Sequence, residues 1–335
     1  MNIGIWERMK DIENPNLAQK AEGLPFLIKN AWAESTNRKY GHAWDKWSGW
    51  CDKYPEVIKC PADPFYLALY FNDLVIEDST LSAVKAANSG IRWGHLCTGH
   101  TDPFQHPFGK LAFEGAKRLC SANSSSNQKE PFTTEMLMKV YETYGRSRNL
   151  MHKRFILICL LGFAGFLRRS ELTAIKVIHI AIYKDHMTIT IPESKTDQLR
   201  EGEIVHISRT LKNTCPVAWT ENYIKETQLS GEDYLISRLA KTKTSHNAIG
   251  TRPLSLTSLR RTFFQMMEPL WGGELKKKDY SLHSLRSGGA SAAANNGVSD
   301  RLIGKQGRWS STSSKDTYIK DSKCKRLSVT QKLGL

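Results

Sequence analysis

The chain has 335 residues and a mass of 38.0 kDa, which is enough for two ordinary domains with separate hydrophobic cores. Its formal net charge is +15 and its pI is about 9.4, so the composition favours a polyanionic partner over an acidic protein interface. Residues 1–128 carry 14 basic and 14 acidic side chains, whereas residues 129–335 carry 34 and 19, so the whole excess lies in the second part.

Cysteine usage and apolar runs indicate the compartment. The seven cysteines are an odd number without a C-x-x-C pair, which predicts reduced thiols and no zinc module. Residues 1–10 lack the apolar core of a secretory signal, and the longest apolar stretch, 155–167, is too short to span a bilayer. We therefore expect an intracellular protein without a membrane segment or a cofactor, in the nucleus if the source is eukaryotic and otherwise in the cytoplasm.

Four helices are predicted in the first 120 residues. The first spans 35–53 and opens with Ser35 and Thr36 as capping residues. The second begins at Asp63-Pro64, and the others run from about 79 to 96 and from about 108 to 119. The first helix carries aromatic residues at helical spacing: Tyr40, Trp44 and Trp47. Such a stripe can stack nucleic-acid bases, but it more often forms core, and we favour core.

Two of these helices carry basic residues seven positions apart, which places each pair on one face. Lys85 and Arg92 form such a pair on the third helix, and Lys110 and Lys117 on the fourth. These faces suit contacts with a phosphate backbone, although a solvated charged face is the commoner explanation of any single pair.

A polar run over residues 121–130 lacks apolar periodicity and predicts a linker. After it, Thr133-Thr134 caps a helix, residues 150–166 form a buried helix, and 168–178 continue in helical form. Alternating runs then predict a small antiparallel sheet from strands at 180–183, 186–191 and 203–207. Everything beyond Cys215-Pro216 is predicted to be mostly helical, so the fold class is mainly α with a small antiparallel sheet.

Six residues of the second part occur in an order that bears on function. Arg168 lies in the string Phe166–Leu172 with Glu171 three residues later, and Lys195 lies between two β-rich runs. His283 and Arg286 are three apart, which on a helix is one face. Trp309 follows Arg286 by 23 residues, and Tyr318 follows Trp309 by 9.

These motifs and spacings resemble the tyrosine site-specific recombinases, the family of phage integrases, Xer-type resolvases and Cre. The resemblance covers roughly residues 30–320. It implies an N-terminal helical core-binding (SAM-like) DNA-binding domain at 1–120, a linker at 121–130 and an α+β catalytic domain at 131–335. It also implies a DNA recombinase that forms a 3′-phosphotyrosine intermediate on double-stranded DNA, as a homo-oligomer that is typically a tetramer on two DNA sites.

The resemblance assigns a role to each of the six residues. Tyr318 is the expected nucleophile, and Arg168 and Arg286 would hold the charge that develops on the phosphate. Lys195 would protonate the leaving 5′-oxygen, because an ammonium among cations loses its proton more easily. His283 would bind a phosphate oxygen or help to deprotonate the tyrosine, and Trp309 would position the phosphate through its indole N–H. Each residue alone has an ordinary structural explanation; only the joint order favours a site. Glu171 is expected to support Arg168, and Arg169 is a further candidate for DNA binding.

The sequence departs from the family pattern at three places near the site. Trp309 stands where many members have histidine, although Cre-like members have tryptophan. Ser287 follows Arg286 where a second histidine is common, and Gly288-Gly289 predicts a looser helix start. The Lys195–Gly202 string and the Gly-Arg-Trp element look most like recombinases of eukaryotic mobile elements such as Cryptons and DIRS-type elements.

Two other functions remain open on the sequence. A type IB DNA topoisomerase shares the catalytic set but acts as a monomer, and a domesticated, non-catalytic DNA-binding descendant is a second alternative. Intact Tyr318 and both arginines speak against the latter. The basic run Lys276–Lys278 is a weak nuclear import signal and is more often a phosphate contact or a solvated loop.

The tail after Tyr318 is predicted to work between subunits. Residues 319–335 are too few for another domain, yet they carry apolar residues that a solvated tail does not need: Leu327, Val329, Leu333 and Leu335. The alternative is that the tail folds back onto its own domain. In the resembling family, a C-terminal segment commonly passes into a neighbouring protomer.

Overall fold

The computed structural model describes residues 4–122, 129–192, 202–241, 246–271 and 276–333. Contacts between residues divide the chain into two units, Met1–Ser126 and Asn127–Leu335. Each unit has its own hydrophobic core of buried side chains. None of the helices in the described part of the chain is long and apolar enough to cross a membrane.

The first unit is helical. After a 3-10 segment at Gly4–Asp11, its described residues form six α-helices: α1 (Pro15–Glu22), α2 (Leu24–Lys29), α3 (Glu34–Cys51), α4 (Pro64–Ile76), α5 (Leu81–Cys97) and α6 (Pro107–Ala122). The last four correspond to the predicted helices, and Asp63 caps α4 by accepting from the N–H of Phe65. Helix α3 begins after Ala33, so the predicted capping by Ser35 and Thr36 was wrong. Both residues lie in its first turn.

Helices α1 and α2 were missed because they are short and bury almost nothing. Of their residues, only Ala21 is buried. Apolar periodicity is the main sequence signal for a helix, and it requires a buried face. Asn14 begins α1 by accepting from two backbone N–H groups, a local cap that periodicity alone does not reveal.

The aromatic stripe of α3 forms the core of the first unit. Trp44 and Trp47 are buried, and Trp47 stacks on Trp50 with ring centroids 5.5 Å apart. Tyr70 of α4 closes on Trp47 from the side at 5.2 Å. Trp44 and Trp47 are inaccessible to nucleic-acid bases and are packing residues, whereas Tyr40 is only half-buried.

The second unit begins with three helices, α7 (Thr134–Tyr144), α8 (Leu150–Ala164) and α9 (Arg169–Ala174). Helix α8 is buried along most of its length, and the remaining elements of the core pack around it. The predicted helical stretch at 168–178 is shorter in the structure, because Ile175 leaves the helix with extended backbone.

A three-stranded antiparallel sheet follows, with β1 (Ile180–Ile182), β2 (His186–Ile191) and β3 (Glu203–Ser208) in that order. Met187, Ile189 and Ile191 are buried at alternate positions of β2, which fixes the register against β3. These strands match the predicted ones closely. The predicted fold class, mainly α with a small antiparallel sheet, is confirmed.

A second sheet was not predicted. Strands β4 (Ser237–Lys241) and β5 (His246–Pro253) form an antiparallel pair after α10 (Pro216–Thr227). The expectation of mostly helix beyond Cys215-Pro216 was therefore wrong in this region. Only Ser237 of the two strands is buried, so the apolar alternation that reveals a strand is absent.

Helices resume with α11 (Leu256–Met267), α12 (His283–Asn295), α13 (Asp300–Gly307), α14 (Thr312–Asp316) and α15 (Lys323–Gln331). Gly288 and Gly289 do not loosen α12, contrary to expectation. A Cβ at Gly288 would meet the carbonyl of Phe132, and a Cβ at Gly289 would meet that of Phe163. The two glycines allow α12 to pack closely against the neighbouring backbone. This packing positions His283 and Arg286, which precede them on the same helix.

Candidate active site

Arg168 is held by its own helix. It is the N-cap residue of α9, and its backbone N–H donates to Oε2 of Glu171 over 2.8 Å. Its side-chain Nη1 donates to Oε1 of the same carboxylate over 2.7 Å. A carboxylate in the first turn also suits the positive end of the helix dipole. Glu171 therefore fixes the guanidinium of Arg168.

Glu171 also binds a second arginine, Arg308. Its Nη2 donates to Oε2 of Glu171 over 2.6 Å, and its Nε lies 3.5 Å from Oε2 of Glu203. Arg308 ends α13 in the left-handed region with φ +54°, which is uncommon for a residue with a side chain. It was given no role from the sequence. The one signal was its place between Gly307 and Trp309, inside the string that carries the resemblance.

Arg286 lies fully buried on α12. Its Nη1 donates to the carbonyl of Phe166, and its Nη2 donates to the carbonyl of Gly307. The backbone of Phe166 is also left-handed, with φ +48°, and its carbonyl accepts from Arg308 over 3.3 Å as well. Strained backbone of this kind persists only where the surroundings enforce it. Here it turns one carbonyl toward two guanidiniums.

Charge at the site is only partly balanced. Burial opposes ionisation of Glu171, but the charge of Arg308 and the hydrogen bonds from Arg168 outweigh burial, so the pKa of Glu171 is lowered. Burial lowers the pKa of Arg286, and the nearby charges of Arg168 and Arg308 lower it further. Because an arginine stays protonated, this shift reflects an unfavourable interaction that a bound anion would relieve.

The aromatic residues of the motif meet at Arg286. Its guanidinium carbon lies 4.5 Å from the ring centroid of Trp309 and 5.3 Å from that of Tyr318. The two rings are 5.2 Å apart, and the ring of His283 lies edge-on to Tyr318 at 6.1 Å. His283, at the first position of α12, is exposed, whereas Trp309 and Tyr318 are half-buried. Four of the six predicted residues are thus brought together around one point.

Two buried N–H donors at this point have no hydrogen-bond partner among the described residues. They are Nε of Arg286 and Nε1 of Trp309. Leaving a buried donor unpaired costs about 1 to 3 kcal/mol. Unpaired donors beside a half-buried tyrosine are therefore suited to an anionic ligand that supplies oxygen acceptors.

An open cavity of about 540 Å³ borders the site at Arg308 and Trp309. Arg301 and Lys305 of α13 also line it, and both are exposed. They were not identified from the sequence, where two more basic residues in a basic unit give no distinct signal. No group of three or more potential metal ligands is found in the part of the chain that the structure describes.

Lys195 lies outside the described residues, so its place relative to the other five stays a prediction. Among the predicted DNA contacts, Lys85 and Lys110 are exposed, and so is Arg169 at the first position of α9. Arg92 pairs with Asp102 at 3.1 Å, and Lys117 pairs with Glu114 at 2.5 Å. Two of the five positive charges are thus already balanced within the first unit.

Comparison with known proteins assigns the chain to a family. The model of the phage integrase family matches residues 130–324. The integrase/recombinase xerD homolog of Selenomonas ruminantium is 25% identical over 315 residues, which cover 91% of this chain and 86% of that protein.

Solved structures agree at the level of the fold. XerH site-specific recombinase in a post-cleavage complex with its palindromic difH substrate matches with a TM-score of 0.60 and 14% identity, over 98% of this chain and 87% of that one. A lambda integrase tetramer bound to a Holliday junction matches with a TM-score of 0.54 and 17% identity, over 86% of this chain and 75% of that one.

Proposed function

The chain belongs to the phage integrase family, and from this premise we propose that it is a site-specific DNA recombinase acting through a 3′-phosphotyrosine intermediate. The observation that carries the proposal is the pair of buried, unpaired donors on Arg286 and Trp309 beside the ring of Tyr318. A scissile phosphate between these groups would give both donors an acceptor and would lie against a nucleophile.

Tyr318 is the proposed nucleophile because it is the sole tyrosine after His283 and Arg286 in the sequence. Its hydroxyl oxygen attacks phosphorus, the bond from phosphorus to the 5′-oxygen breaks, and an aryl phosphodiester forms at the 3′ end. A 5′-hydroxyl later attacks this ester and releases the tyrosine. The phosphodiester bond is exchanged at each step, so the reaction requires no ATP.

Arg168 and Arg286 are proposed to stabilise the pentacoordinate phosphorane. Negative charge develops on its non-bridging oxygens, and fixed guanidiniums lower the free energy of that state without reorganisation. Their fixation is supported by Glu171 for Arg168 and by two backbone carbonyls for Arg286. Arg308 contributes indirectly, since it holds Glu171 in its charged form.

Three further roles complete the mechanism. Lys195 is proposed to protonate the leaving 5′-oxygen, an assignment that rests on the family resemblance. Trp309 would donate its indole N–H to a phosphate oxygen, and it has no acid–base function. His283, edge-on to Tyr318, would bind a phosphate oxygen or accept the proton of the tyrosine.

Double-stranded DNA is the proposed partner. The excess positive charge of residues 129–335 suits the phosphate backbone, and Arg301 and Lys305 extend the positive charge beside the site. In the first unit, Lys85 and Lys110 are proposed to contact phosphates, which would orient the chain without reading sequence. A DNA substrate would place the activity in the nucleus of a eukaryote or the cytoplasm of a prokaryote.

We propose a tetramer on two DNA sites as the working assembly, by analogy with the lambda integrase tetramer. Helix α15 supports a role between subunits, because it buries none of its residues and exposes Leu327 and Val329. Truncation after Lys323 should weaken cooperative assembly on paired sites while single half-sites are still bound. Gel-shift titration of paired and single sites checks this, and equal tetramer formation by the truncated chain would exclude the role.

A type IB topoisomerase would use the same residues as a monomer. Two assays distinguish these functions. A recombinase exchanges strands between two DNA partners, whereas a topoisomerase relaxes a single supercoiled plasmid. We favour recombination because the matching family and its relatives are integrases and recombinases.

The direct test is covalent trapping on a nicked suicide substrate. The wild-type chain should form a protein–DNA adduct in excess EDTA, and Tyr318→Phe should bind the same DNA without forming one. Tyr183→Phe, which changes an exposed tyrosine of the same unit, is the matched control and should react normally. An adduct in Tyr318→Phe would move the nucleophile elsewhere, and a strict requirement for magnesium would overturn the mechanism.

A further inference from the structure

The segment that follows Tyr318 has no regular secondary structure. Helix α14 ends at Asp316, and residues 319–322 run without helix or strand until α15 begins at Lys323. Backbone polar groups outside helices and sheets need other partners when water is restricted. In this segment the N–H of Ile319 donates to the carbonyl of Asp316, and side chains of α12 supply the partners described next.

Three side chains of α12 bond the backbone of this segment in succession. Ser287 Oγ donates to the carbonyl of Tyr318 over 2.6 Å, and Ser291 Oγ donates to the same carbonyl over 3.3 Å. Ser291 Oγ also accepts from the N–H of Lys320 over 2.8 Å. Asn295 donates to the carbonyl of Lys320 over 3.1 Å and accepts from the N–H of Ser322 over 2.9 Å. We call Ser287, Ser291 and Asn295 the clamp.

The clamp residues lie four positions apart, so they share one face of α12. Serine and asparagine are weak formers of a helix interior, because they compete for its backbone hydrogen bonds. Here their polar groups form hydrogen bonds with the backbone of residues 318–322, which explains why serine and asparagine occupy these helix positions. His283 stands four residues before Ser287 and continues the same face to the ring of Tyr318.

One helix thus serves two purposes. Its first turn carries His283 and Arg286, which face the tyrosine ring, and its remaining turns carry the clamp. Because both sets are on one rigid element, the backbone of Tyr318 has a fixed distance from Arg286 of the same chain. The clamp ends at Ser322, immediately before α15, so movement of α15 need not displace the tyrosine.

We propose that Ser287, Ser291 and Asn295 are positioning residues that hold the backbone of Tyr318 in register with the phosphate-binding face of α12. This inference rests on the proposed function, in which Tyr318 attacks DNA. The clamp residues act through the tyrosine and contact neither phosphate nor the leaving group. A misplacement of a reacting group by about 1 Å lowers a rate by up to a hundredfold.

The test measures single-turnover adduct formation on a nicked substrate at saturating protein. The double variant Ser287→Ala/Ser291→Ala removes both donors to the Tyr318 carbonyl, and its rate should fall between about tenfold and a hundredfold. Half-site affinity should stay unchanged. Asn295→Ala should give a smaller loss, and Ser287→Thr, which keeps the hydroxyl, should retain most of the rate that Ser287→Ala loses. Asn296→Ala changes an exposed neighbour of the same type and should match the wild type.

A second measurement separates the clamp from the chemistry. The backbone N–H groups of Lys320 and Ser322 donate to Ser291 and Asn295, so hydrogen exchange at these two amides should accelerate in the clamp variants while the amides of α8 remain protected. Faster exchange with an unchanged adduct rate would overturn the positioning role, and so would a loss of DNA binding equal to the loss of rate. Absence of an adduct with the wild type would instead refute the proposed function, and the exchange data would still report whether the clamp exists.

Discussion

The N-terminal unit, Met1–Ser126, fills its core with aromatic rings, whereas the C-terminal unit, Asn127–Leu335, also buries charged side chains. Among the described residues, the buried Lys, Arg, Asp and Glu side chains all lie in the second unit: Arg154, Glu171, Arg286, Arg308 and Lys315. Glu171 and Arg308 form an ion pair, and the guanidinium of Arg286 lies against the ring of Tyr318. Burying a charge costs folding free energy unless the charge is paired. A cluster of buried charges therefore indicates a functional site that is kept at a cost in stability.

The difference between the units separates stability from chemistry. In the first unit Lys85 and Lys110 are exposed, and their proposed role is in DNA binding. In the second, arginines are fixed inside the protein with donors left unpaired. Substitutions in the two units should therefore change different measured quantities.

The largest expected effect is on stability in the first unit. Trp47→Ala removes a fully buried ring from the aromatic core and should lower the free energy of unfolding of that unit by about 3 to 5 kcal/mol. Chemical denaturation followed by tryptophan fluorescence measures this. Ile58→Ala, at an exposed position, should change it by less than about 0.5 kcal/mol. A loss of DNA affinity without a loss of stability would instead favour base stacking by the stripe.

The next effect is on rate in the second unit. Arg286→Ala and Arg168→Ala should each slow adduct formation by about a hundredfold to a thousandfold, because each removes a donor aimed at developing charge. Arg286→Lys should also be slow, since an ammonium cannot reproduce the two-directional bonding of a guanidinium. Arg260→Ala, at an exposed position of α11, is the control. Normal rates in the Arg286 variants, measured on fully bound DNA, would remove that residue from the mechanism.

Glu171→Gln should destabilise the second unit by about 1.5 to 3 kcal/mol at neutral pH, because two arginines lose their charged acceptor. The pKa of Glu171 is lowered from 4.5 on folding, so its ionised form stabilises the folded state above pH 4.5 and this contribution is lost as the pH falls through the lower folded value. The stability difference between the variant and the wild type should therefore shrink in acid. Glu142→Gln, at an exposed position, should show no such trend; a difference independent of pH would contradict the ion-pair explanation.

The smallest effect concerns the surface of the first unit. Lys85→Ala should reduce the salt dependence of half-site binding by about one unit of slope, as expected for one phosphate contact. Arg92→Ala should change it less, because Asp102 already balances that charge at 3.1 Å. Binding titrations over a range of salt concentrations distinguish the two. Equal slopes for both variants and the wild type would place the DNA on another face.

Sequence by itself determined the elements that rest on local chemistry. Caps such as Asp63 and Thr133 and the apolar alternation of β2 act within a few residues, so the pattern predicted those elements closely. The order and spacing of the motif residues predict one site. The structure places His283, Arg286, Trp309 and Tyr318 together, and the catalytic roles stay a prediction. Helices α1 and α2 and the β4–β5 pair escaped because they bury little and therefore leave no periodic pattern.

Only the tertiary structure decided how that site is held. Arg308 contacts Glu171 across 137 positions of the chain, and the clamp joins residues 25 to 31 apart. These contacts form between segments that are distant along the chain, and the lack of a Cβ at Gly288 and Gly289 lets α12 lie close to the backbone of Phe132 and Phe163. A serine or an arginine in the sequence does not reveal its partner, because hydrogen-bond pairing is set by distance in space and not by separation along the chain.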